Sequence, residues 1–440
     1  MPAPTGPIVV IGGALPGMAA AARLAALGHE VVLIEREPAL GGRWRTSGDG
    51  IGRTDALPPV LTLPAAWRDL FRKTGRTLDL ELKARGWTLD PAPPAVHSFP
   101  DGSALALPTD RGSQHTALTE ALGREHATAW RDLLDRLDDA WQALRRLGLE
   151  EPFGGQRAIP PHRRALLWGT TVADLARTVP APLSYLVAAT AWRIGSHPRR
   201  TPAFVAARLS VERSFGRWSV ADAEGHGLPA GVLLDVLADR LRARGVEARP
   251  ATTVHGGGVS HVLTDSEAVG AGAVITTVHP WHDPPLGPTR RLFTRLRPAM
   301  APRVTHRLAA GAVTGTTEEI DHTPHGPVVT YARQAGDDVL TTVHDHTAAA
   351  PDPSAGARWD GPHTWSRMPG LRGAAGWWSA TAAAPGGNDP WAQLLTGALA
   401  AYAVHGALTG EDVRPSNVAY RPRVRRRSAA APPTPGDAPP

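Results

Sequence analysis

The N-terminal segment carries the pattern that most narrows the possible folds of this chain. Four β-branched residues, Ile8–Ile11, stop at Gly12 and Gly13, and an alanine-rich segment follows over Met18–Leu27. A second apolar run, His29–Glu35, comes next and ends on an acidic residue. β-Branched runs favour strands, and an alanine-rich segment between glycines favours a helix. The pattern therefore predicts a strand, a glycine turn, a helix and a second strand that ends on a carboxylate.

This arrangement suits a dinucleotide ligand. A pyrophosphate can lie on the helix N-terminus, and Glu35, roughly 20 positions after Gly12, can accept hydrogen bonds from ribose hydroxyls. The pattern G-x-G-x-x-G would place glycines at 12, 14 and 17, but the middle position is Ala14, and Gly13 is out of register. The added methyl group crowds the closest approach of backbone and pyrophosphate. A Rossmann-like unit that has lost its ligand therefore remains the alternative.

A second element follows the second strand. Glu35 is followed by Arg36, then by Gly41-Gly42-Arg43, a glycine-rich turn and Asp55. In this order of acid, Gly-Gly-Arg and later Asp, the sequence resembles the glutathione-reductase-like FAD superfamily, in the branch with amine oxidases, protoporphyrinogen oxidases and phytoene desaturases. The resemblance implies that the glycines pass close to the ribityl and phosphate groups and that an arginine neutralises phosphate. An ordinary loop with a solvated arginine is the alternative.

Further local matches extend this resemblance over most of the chain. They are Val60–Pro64, Phe99–Ser103, Gly195–Pro202, Phe215–Trp218 and the turn Pro385–Pro390. In the family such a turn leads into a helix whose N-terminal amides point toward the flavin ring. Two positions depart from the family pattern: Ala384 replaces a common histidine, and Leu57–Pro58 replaces a Gly-Pro pair.

The resemblance implies an α/β fold, with a Rossmann-type FAD-binding domain and an inserted α+β substrate domain. The FAD-binding domain would comprise residues 1–60, 216–284 and 369–412, the substrate domain residues 61–215 and 285–368, and residues 413–440 would form an extension with a mostly disordered tail. The implied cofactor-binding residues are Gly12, Gly13, Ala14, Gly17, Glu35, Arg36, Gly41, Gly42, Arg43, Val254, Pro385, Gly386 and Gly387.

Periodicity predicts the other elements. Apolar residues at helical spacing over Arg124–Leu147 predict an amphipathic helix that packs on the core. The other predicted helices are Gly231–Gly245 and Trp391–Leu408, and the other predicted strands are Val246–Val254, Ala273–Thr277, Val328–Tyr331, Val339–His344 and Ala374–Ser379. Alternation places His344 and His346 on one strand face. They form a conceivable metal pair without an evident third ligand, so ordinary polar sheet residues are the favoured interpretation.

Composition excludes several classes of chemistry. The absence of cysteine excludes disulfides, thiolate metal sites and iron–sulfur clusters. The net charge is +6 with only two lysines, a bias that we attribute to genome composition before an acidic partner, and no nucleic acid partner is expected. The apolar stretch Leu394–Leu408 is too short to span a membrane. No secretory signal pattern opens the sequence, so we expect a cytoplasmic protein, with peripheral contact at the inner membrane surface through the basic tail after Arg421 as an option.

The expected function is FAD-dependent removal of hydride from an apolar or extended substrate, such as a polyene or isoprenoid. Flavins carry this chemistry themselves, so no catalytic side chain is predicted. One alternative is amine oxidation, for which Trp377 and Trp378 hint at an aromatic cage. A second is a degenerate flavoprotein that acts as an accessory or structural subunit, motivated by Ala14, Leu57 and Ala384. The sequence does not identify the substrate, the electron acceptor or the oligomeric state.

Overall fold

The computed structural model describes residues 6–48, 53–54, 56–281, 296–372 and 377–415. Its α-helices are, in chain order, α1 (Leu15–Ala26), α2 (Ala65–Thr74), α3 (Leu78–Lys83), α4 (Arg111–Leu122), α5 (Arg124–Leu144), α6 (Val172–Ala176), α7 (Leu183–Arg193), α8 (Ala207–Phe215), α9 (Val232–Ala243), α10 (Pro362–Trp365) and α11 (Pro390–Thr409). Its strands are β1 (Ile8–Ile11), β2 (Val31–Ile34), β3 (Leu61–Thr62), β4 (Thr88–Pro91), β5 (Ala95–Ser98), β6 (Ala104–Leu107), β7 (Arg217–Ala221), β8 (Glu247–Arg249), β9 (Val254–Gly257), β10 (His261–Thr264), β11 (Ala268–Gly270), β12 (Ala273–Thr276), β13 (Pro298–Ala310), β14 (Thr316–Asp321), β15 (Val328–Ala335), β16 (Asp338–Ala357) and β17 (Trp378–Ser379).

A five-stranded parallel sheet has the order β17-β12-β1-β2-β8. Every residue of β1 and β2 is buried, as a parallel sheet with both faces covered requires. The predicted strand, turn, helix and strand are confirmed. Helix α1 begins at Leu15 rather than at the predicted Met18, because Pro16 is well suited to the first helical turn, where its missing N–H costs nothing. The fold is therefore α/β with a Rossmann-type parallel sheet.

Helix α11 covers α1. A Cβ atom added at Gly397 would lie 2.3 Å from the carbonyl oxygen of Pro16, so the two helices approach closely at this glycine. Further along α1, the buried Arg23 donates to the hydroxyl of Tyr402 at 2.7 Å and to the carboxylate of Asp69 at 2.7 Å. These contacts join α1, α2 and α11 around one core.

One predicted strand is wrong. Val246–Val254 forms two short strands in different sheets, β8 in the parallel sheet and β9 in a three-stranded antiparallel sheet with β10 and β11. Pro250 has no N–H to donate to a neighbouring strand, and Ala251 has φ 52°. The chain therefore turns at these two residues, between β8 and β9. Of the predicted strand Ala374–Ser379, residues 377–379 are described, and Trp378–Ser379 forms β17. Asp55 and the tail after Arg421 lie outside the described residues.

A six-stranded sheet of mixed direction has the order β13-β16-β15-β14-β5-β6. Pairing brings His97, Ile320, Val329 and His344 into one row across β5, β14, β15 and β16. Paired residues point to the same face of a sheet, so this row lies on one face. Strands β3, β7 and β4 form a further small sheet.

Helix α5 confirms the predicted amphipathic helix. Its residues Trp130, Leu134, Leu137 and Trp141 are buried, and the helix ends at Leu144, before the predicted limit. No α-helix within the described ranges is both long enough and apolar enough to cross a membrane.

Candidate functional site

The first cavity, which we call the outer cleft, opens at the carboxyl ends of the parallel strands. It has a volume of about 540 Å³. Gly12, Glu35 and Thr277, which follow β1, β2 and β12, line it together with Arg43. In open α/β sheets, ligands bind outside the carboxyl ends of the strands. The outer cleft is thus where the fold predicts a nucleotide.

Glu35 is only 8% exposed, although it lines the outer cleft. Its Oε2 accepts a hydrogen bond from the backbone N–H of Gly13 at 2.6 Å, and its Oε1 accepts one from the N–H of Glu37 at 2.8 Å. The carboxylate therefore fixes the glycine turn as well as facing the cleft. This second role is not evident from its position at the end of a strand.

Close backbone packing explains two of the glycines. Gly12 has φ 99°, and a Cβ atom there would lie 2.3 Å from Oγ1 of Thr277, which donates to the carbonyl oxygens of Ile11 and Gly12 at 3.1 Å each. A Cβ atom at Gly17 would lie 2.0 Å from the carbonyl oxygen of Gly12. Ala14, by contrast, has φ −72° and ψ 173°, which any residue adopts. The turn therefore accepts alanine at position 14 without backbone strain.

The Gly-Gly-Arg segment docks directly on this turn. The N–H of Gly41 donates to the carbonyl oxygen of Gly13 at 2.8 Å. The Arg43 guanidinium lies 3.6 Å from the carboxylate of Asp352. Burial lowers the pKa of Arg43, and Asp352 partly opposes this shift. A partly buried cation with one carboxylate partner at the edge of a cleft suits a phosphate or an electron-rich ring system.

The other predicted site residues are placed differently. Arg36 and Val254 line the outer cleft. Pro385, Gly386 and Gly387 line neither of the two large cavities; the carbonyl oxygen of Pro385 accepts a hydrogen bond from the indole of Trp365 at 2.9 Å.

The second cavity, which we call the inner chamber, lies between the six-stranded sheet and helices α7 and α8. Its volume is about 180 Å³. Arg43 and Trp44 line both this chamber and the outer cleft, so the two cavities are neighbours. Asn388 and Asp389, which lie within the predicted turn Pro385–Pro390, also line the chamber.

A buried network of charges stands beside the chamber. Glu318 is paired with Arg217 in a very close contact and with Arg193 at 3.4 Å, and it accepts a hydrogen bond from the hydroxyl of Tyr331 at 3.2 Å. Burial raises the pKa of Glu318, but the two arginines and Tyr331 outweigh burial and bring it below its usual value. Arg193 also lies 3.5 Å from Glu212, whose pKa is raised by burial against the pull of Arg193.

Four buried histidines line the same chamber. Nδ1 of His97 and Nε2 of His322 are 3.0 Å apart, and their rings stack nearly parallel. Burial lowers the pKa of His322 to about 4, of His344 to about 4 and of His346 to about 3, and it places that of His97 well below 6.5. All four imidazoles are therefore uncharged at neutral pH.

His344 and His346 share one sheet face, as the alternation predicts. Both side chains are buried. Among the residues that the structure describes, no group of three or more His, Asp or Glu side chains could hold a metal ion.

Comparison with known proteins agrees with this geometry. Residues 10–74 match the family model of an NAD(P)-binding Rossmann-like domain. The chain is 36% identical to the hydroxyneurosporene desaturase of Cereibacter sphaeroides over 55% of this chain and 44% of that protein, and 28% identical to the enzyme of the same name from Rhodobacter capsulatus over 72% and 65%. A solved structure of putrescine oxidase bound to putrescine superposes with a TM-score of 0.60 and 14% identity, covering 92% of this chain and 99% of that one. The chain is thus similar in sequence to hydroxyneurosporene desaturases and similar in fold to putrescine oxidase.

These matches differ in what they establish. The aligned part spans less than two thirds of either desaturase. The likeness to putrescine oxidase, at 14% identity, establishes the fold alone.

Several residues that line or support the two cavities have no signal in the sequence. The hydroxyl of Thr277 donates to the carbonyl oxygen of Gly12. Asp352 pairs with Arg43 from a strand more than 300 residues further along the chain. Arg193, Glu212 and Glu318 come together only in the fold. Trp377 and Trp378, the hint of an aromatic cage, are not among the residues that line the chamber. The indole of Trp377 instead donates to the carbonyl oxygen of Gly258 at 2.7 Å.

Proposed function

We propose that this protein is an FAD-dependent oxidoreductase that removes hydride from an apolar or extended substrate, such as a polyene or isoprenoid. The observation that carries the proposal is the shared wall of Arg43 and Trp44 between the outer cleft and the inner chamber. Hydride transfer needs the reacting carbon of the substrate next to the flavin ring. Two neighbouring cavities with one common wall provide that arrangement.

The groups that line the outer cleft suit FAD. Glu35 and the N-terminus of α1 suit a ribose and a pyrophosphate. The same cleft is lined by Asp352 and Ser354 of β16 and by Gln393 of α11, which lie far along the chain. A cleft of about 540 Å³ with both sets of groups is suited to a dinucleotide. When bound, the flavin would supply the hydride acceptor.

We assign the cofactor contacts to the predicted residues. Gly12, Gly17 and Glu35 shape the glycine turn and the proposed ribose site, while Arg43 lies in the wall shared with the chamber and Gly42 lines the cleft next to it. Pro385, Gly386 and Gly387 belong to this proposal as the turn that sets the start of α11, since they line no large cavity themselves.

The division of the chain into domains is part of the proposal. Every strand of the parallel sheet falls within residues 1–60, 216–284 and 369–412, and every strand of the six-stranded sheet falls within 61–215 and 285–368. Strand β7 pairs with β3 and β4 and so connects the two parts. This distribution supports a discontinuous FAD-binding domain with an inserted substrate domain.

The names of the relatives support a polyene substrate, because hydroxyneurosporene desaturases act on one by name. Putrescine oxidase acts on an amine by name. Among the described residues that line the chamber, the carboxylates of Glu212 and Asp389 each pair with an arginine, as does that of Glu318 beside it. An ammonium group would find no unpaired carboxylate there, which favours the desaturase over the amine oxidase proposal.

Polyenes dissolve in membranes, so a peripheral membrane contact belongs to the proposal, and co-sedimentation with anionic vesicles tests it.

The deciding experiment is cofactor content. Protein purified from a flavin-sufficient host is expected to be yellow and to release FAD on denaturation. Anaerobic addition of an acyclic polyene should bleach the flavin absorbance. Protein that is colourless, takes up no added FAD and remains colourless as the Ala14→Gly variant would contradict the oxidoreductase proposal and favour an accessory subunit.

A further inference from the structure

The proposed reaction needs a proton acceptor in the inner chamber. When a single bond becomes a double bond, one C–H bond breaks with its electron pair, and the hydride leaves to the bound flavin. A second C–H bond also breaks, its electron pair forms the new double bond, and the proton passes to a base. A side-chain base must lie within reach of the substrate to accept that proton.

Two carboxylates line the described part of the chamber, Glu212 on α8 and Asp389 directly before α11. Asp389 is bound tightly, because its Oδ2 lies 2.5 Å and 2.8 Å from two nitrogen atoms of Arg208. Glu212 is bound loosely. Its arginine partner, Arg193, lies 3.5 Å from Oε1, and among the described residues no hydrogen bond reaches Oε2. Glu212 therefore has a carboxylate oxygen available for a proton.

The four histidines of the chamber are weaker candidates for the base. They are between 4% and 7% exposed, and burial lowers the pKa of each imidazole. A lowered pKa makes an imidazole a weaker base. A quarter of the side chain of Glu212 is exposed. Glu212 is therefore the more accessible group for a substrate in the chamber.

Glu212 also lies in the wall between the chamber and a second, smaller cavity, which we call the side cavity. The side cavity has a volume of about 30 Å³, enough for about two water molecules. Polar side chains line it, among them Gln114, Arg213 and the uncharged His97. A proton that Glu212 accepts from the chamber can therefore leave to water on the other side of this wall.

The surroundings of Glu212 strengthen it as a base. Burial raises its pKa above the ordinary value of a glutamate, and the carboxylates of Glu318 and Asp389 add to the rise. Arg193 and Arg217 oppose the rise without cancelling it. A higher pKa makes a carboxylate a better proton acceptor.

We propose that Glu212 is the catalytic base that accepts the substrate proton while the hydride leaves. The carboxylate becomes a carboxylic acid, and it returns the proton to water in the side cavity before the next turnover. This inference rests on the proposed function and adds a proton acceptor to it. Arg193 is a positioning residue, because it holds Oε1 of Glu212 and also contacts Glu318.

The first test needs no turnover. Infrared difference spectra between pH 5 and pH 9 detect the C=O stretch of a protonated carboxyl group. We expect wild-type protein to lose one such band at a pH above the ordinary range of glutamate, and Glu212→Gln to lack this band. Glu125→Gln is the matched control and should keep it, because Glu125 is exposed on α5 and lines neither cavity. Identical spectra of wild type and Glu212→Gln would overturn the assignment of the proton to Glu212.

The second test measures reduction of the FAD-loaded protein. The probes are the acyclic polyenes phytoene and neurosporene in detergent micelles without oxygen, and bleaching of the flavin absorbance gives the rate. Glu212→Gln should lower the maximal rate by about 100-fold or more, with a change of less than about threefold in the half-saturating concentration. The wild-type rate should rise with pH as Glu212 ionises, and the rate of the variant should not. Glu212→Asp, which keeps a carboxylate, should recover part of the rate.

The outcomes separate the base from the proposed function. A wild-type rate and pH profile in Glu212→Gln would overturn the base role alone. A weaker half-saturation at an unchanged maximal rate would also overturn it, since that result indicates a binding contact. If Glu212→Gln does not fold, Glu212→Asp must shift the pH profile, and an unshifted profile would overturn the base role. FAD-loaded wild-type protein that neither polyene reduces would contradict the proposed function, and the base role with it.

Discussion

The outer cleft and the inner chamber are formed by different kinds of chemical groups. In the outer cleft, the key hydrogen bonds involve backbone groups: the N–H of Gly13 donates to Glu35, the N–H of Gly41 donates to the carbonyl of Gly13, and the carbonyl of Gly12 accepts from the hydroxyl of Thr277. The inner chamber is bordered by ionisable side chains, with four histidines and a network of arginines and glutamates. The cleft should therefore respond mainly to changes in shape, and the chamber to changes in charge.

Acid should produce the largest difference between the two regions. The pKa of His344 falls from about 6.5 in the unfolded chain to about 4 in the fold, and that of His346 to about 3. Between about pH 6.5 and pH 4, the unfolded chain binds more protons than the folded protein. The contribution of these histidines to the free energy of unfolding is therefore fully present above about pH 6.5 and is lost as the pH falls toward 4. Arg43, Arg193 and Glu318 face the same histidines. At about 1.4 kcal/mol per pKa unit, His344 alone contributes on the order of 3 kcal/mol.

Hydrogen exchange from pH 7.5 to 4.5 checks this expectation. Peptides from β14–β16 should lose protection at higher pH than peptides from β1 and β2. The double variant His344→Gln with His346→Asn should show a shallower decline of melting temperature with falling pH. Loss of protection at the same pH in both sheets would remove the proposed distinction between cleft and chamber.

A change of shape should damage the cleft first. Gly17→Ala places a methyl group against the carbonyl oxygen of Gly12, which is backbone and cannot rotate away. We expect a loss of about 1–3 kcal/mol in unfolding free energy, by analogy with overpacked cores, and loss of most bound FAD. Gly270→Ala is the control, since a Cβ atom there has no neighbour within 4 Å. Denaturant unfolding and flavin content measure both effects; equal behaviour of the two variants would contradict the close packing.

Removal of a carboxylate should have a smaller effect that is confined to the cleft. Glu35→Ala is expected to weaken FAD binding by about tenfold or more and to lower the stability of the cofactor-free protein by about 1–2 kcal/mol, because the N–H groups of Gly13 and Glu37 lose their acceptors. From its position in the sequence, Glu35 is expected to affect only cofactor binding. The loss of stability is expected only because the structure shows its two hydrogen bonds to the backbone. Glu30→Ala serves as control, since Glu30 is exposed and does not line the outer cleft. Flavin titration and thermal melts separate the two effects; unchanged affinity would exclude Glu35 from the site.

The smallest expected effect is at Ala14. Its methyl group lines the cleft, and the backbone there is unstrained. Ala14→Gly should tighten FAD binding by a factor between about two and ten and change stability by only a few tenths of a kcal/mol, since glycine is acceptable at a helix N-cap. Weaker binding by the variant, measured by the same titration, would show that the methyl group contacts the cofactor favourably.

The two regions also differ in what the sequence can predict. The glycine turn, α1 and Glu35 lie within 35 residues, so local propensity and spacing were sufficient to locate them. The contact between His97 and His322 joins positions 225 residues apart, and nothing local marks either residue. For the same reason a single strand was wrongly predicted for Val246–Val254: the apolar pattern is continuous, but Pro250 and Ala251 turn the chain into another sheet.

The cover of α1 by α11 has a consequence for synthesis of the chain. Helix α1 leaves the ribosome early, but the helix that buries it begins at Pro390, and β17, the edge partner of β12, begins at Trp378. Until then the side of α1 that α11 covers has no partner, and contacts of such long sequence separation form slowly. The nascent chain must therefore hold an unfinished nucleotide site through nearly the whole of translation. A chaperone that binds apolar helices is therefore expected to bind the N-terminal part of the nascent chain rather than its C-terminal part.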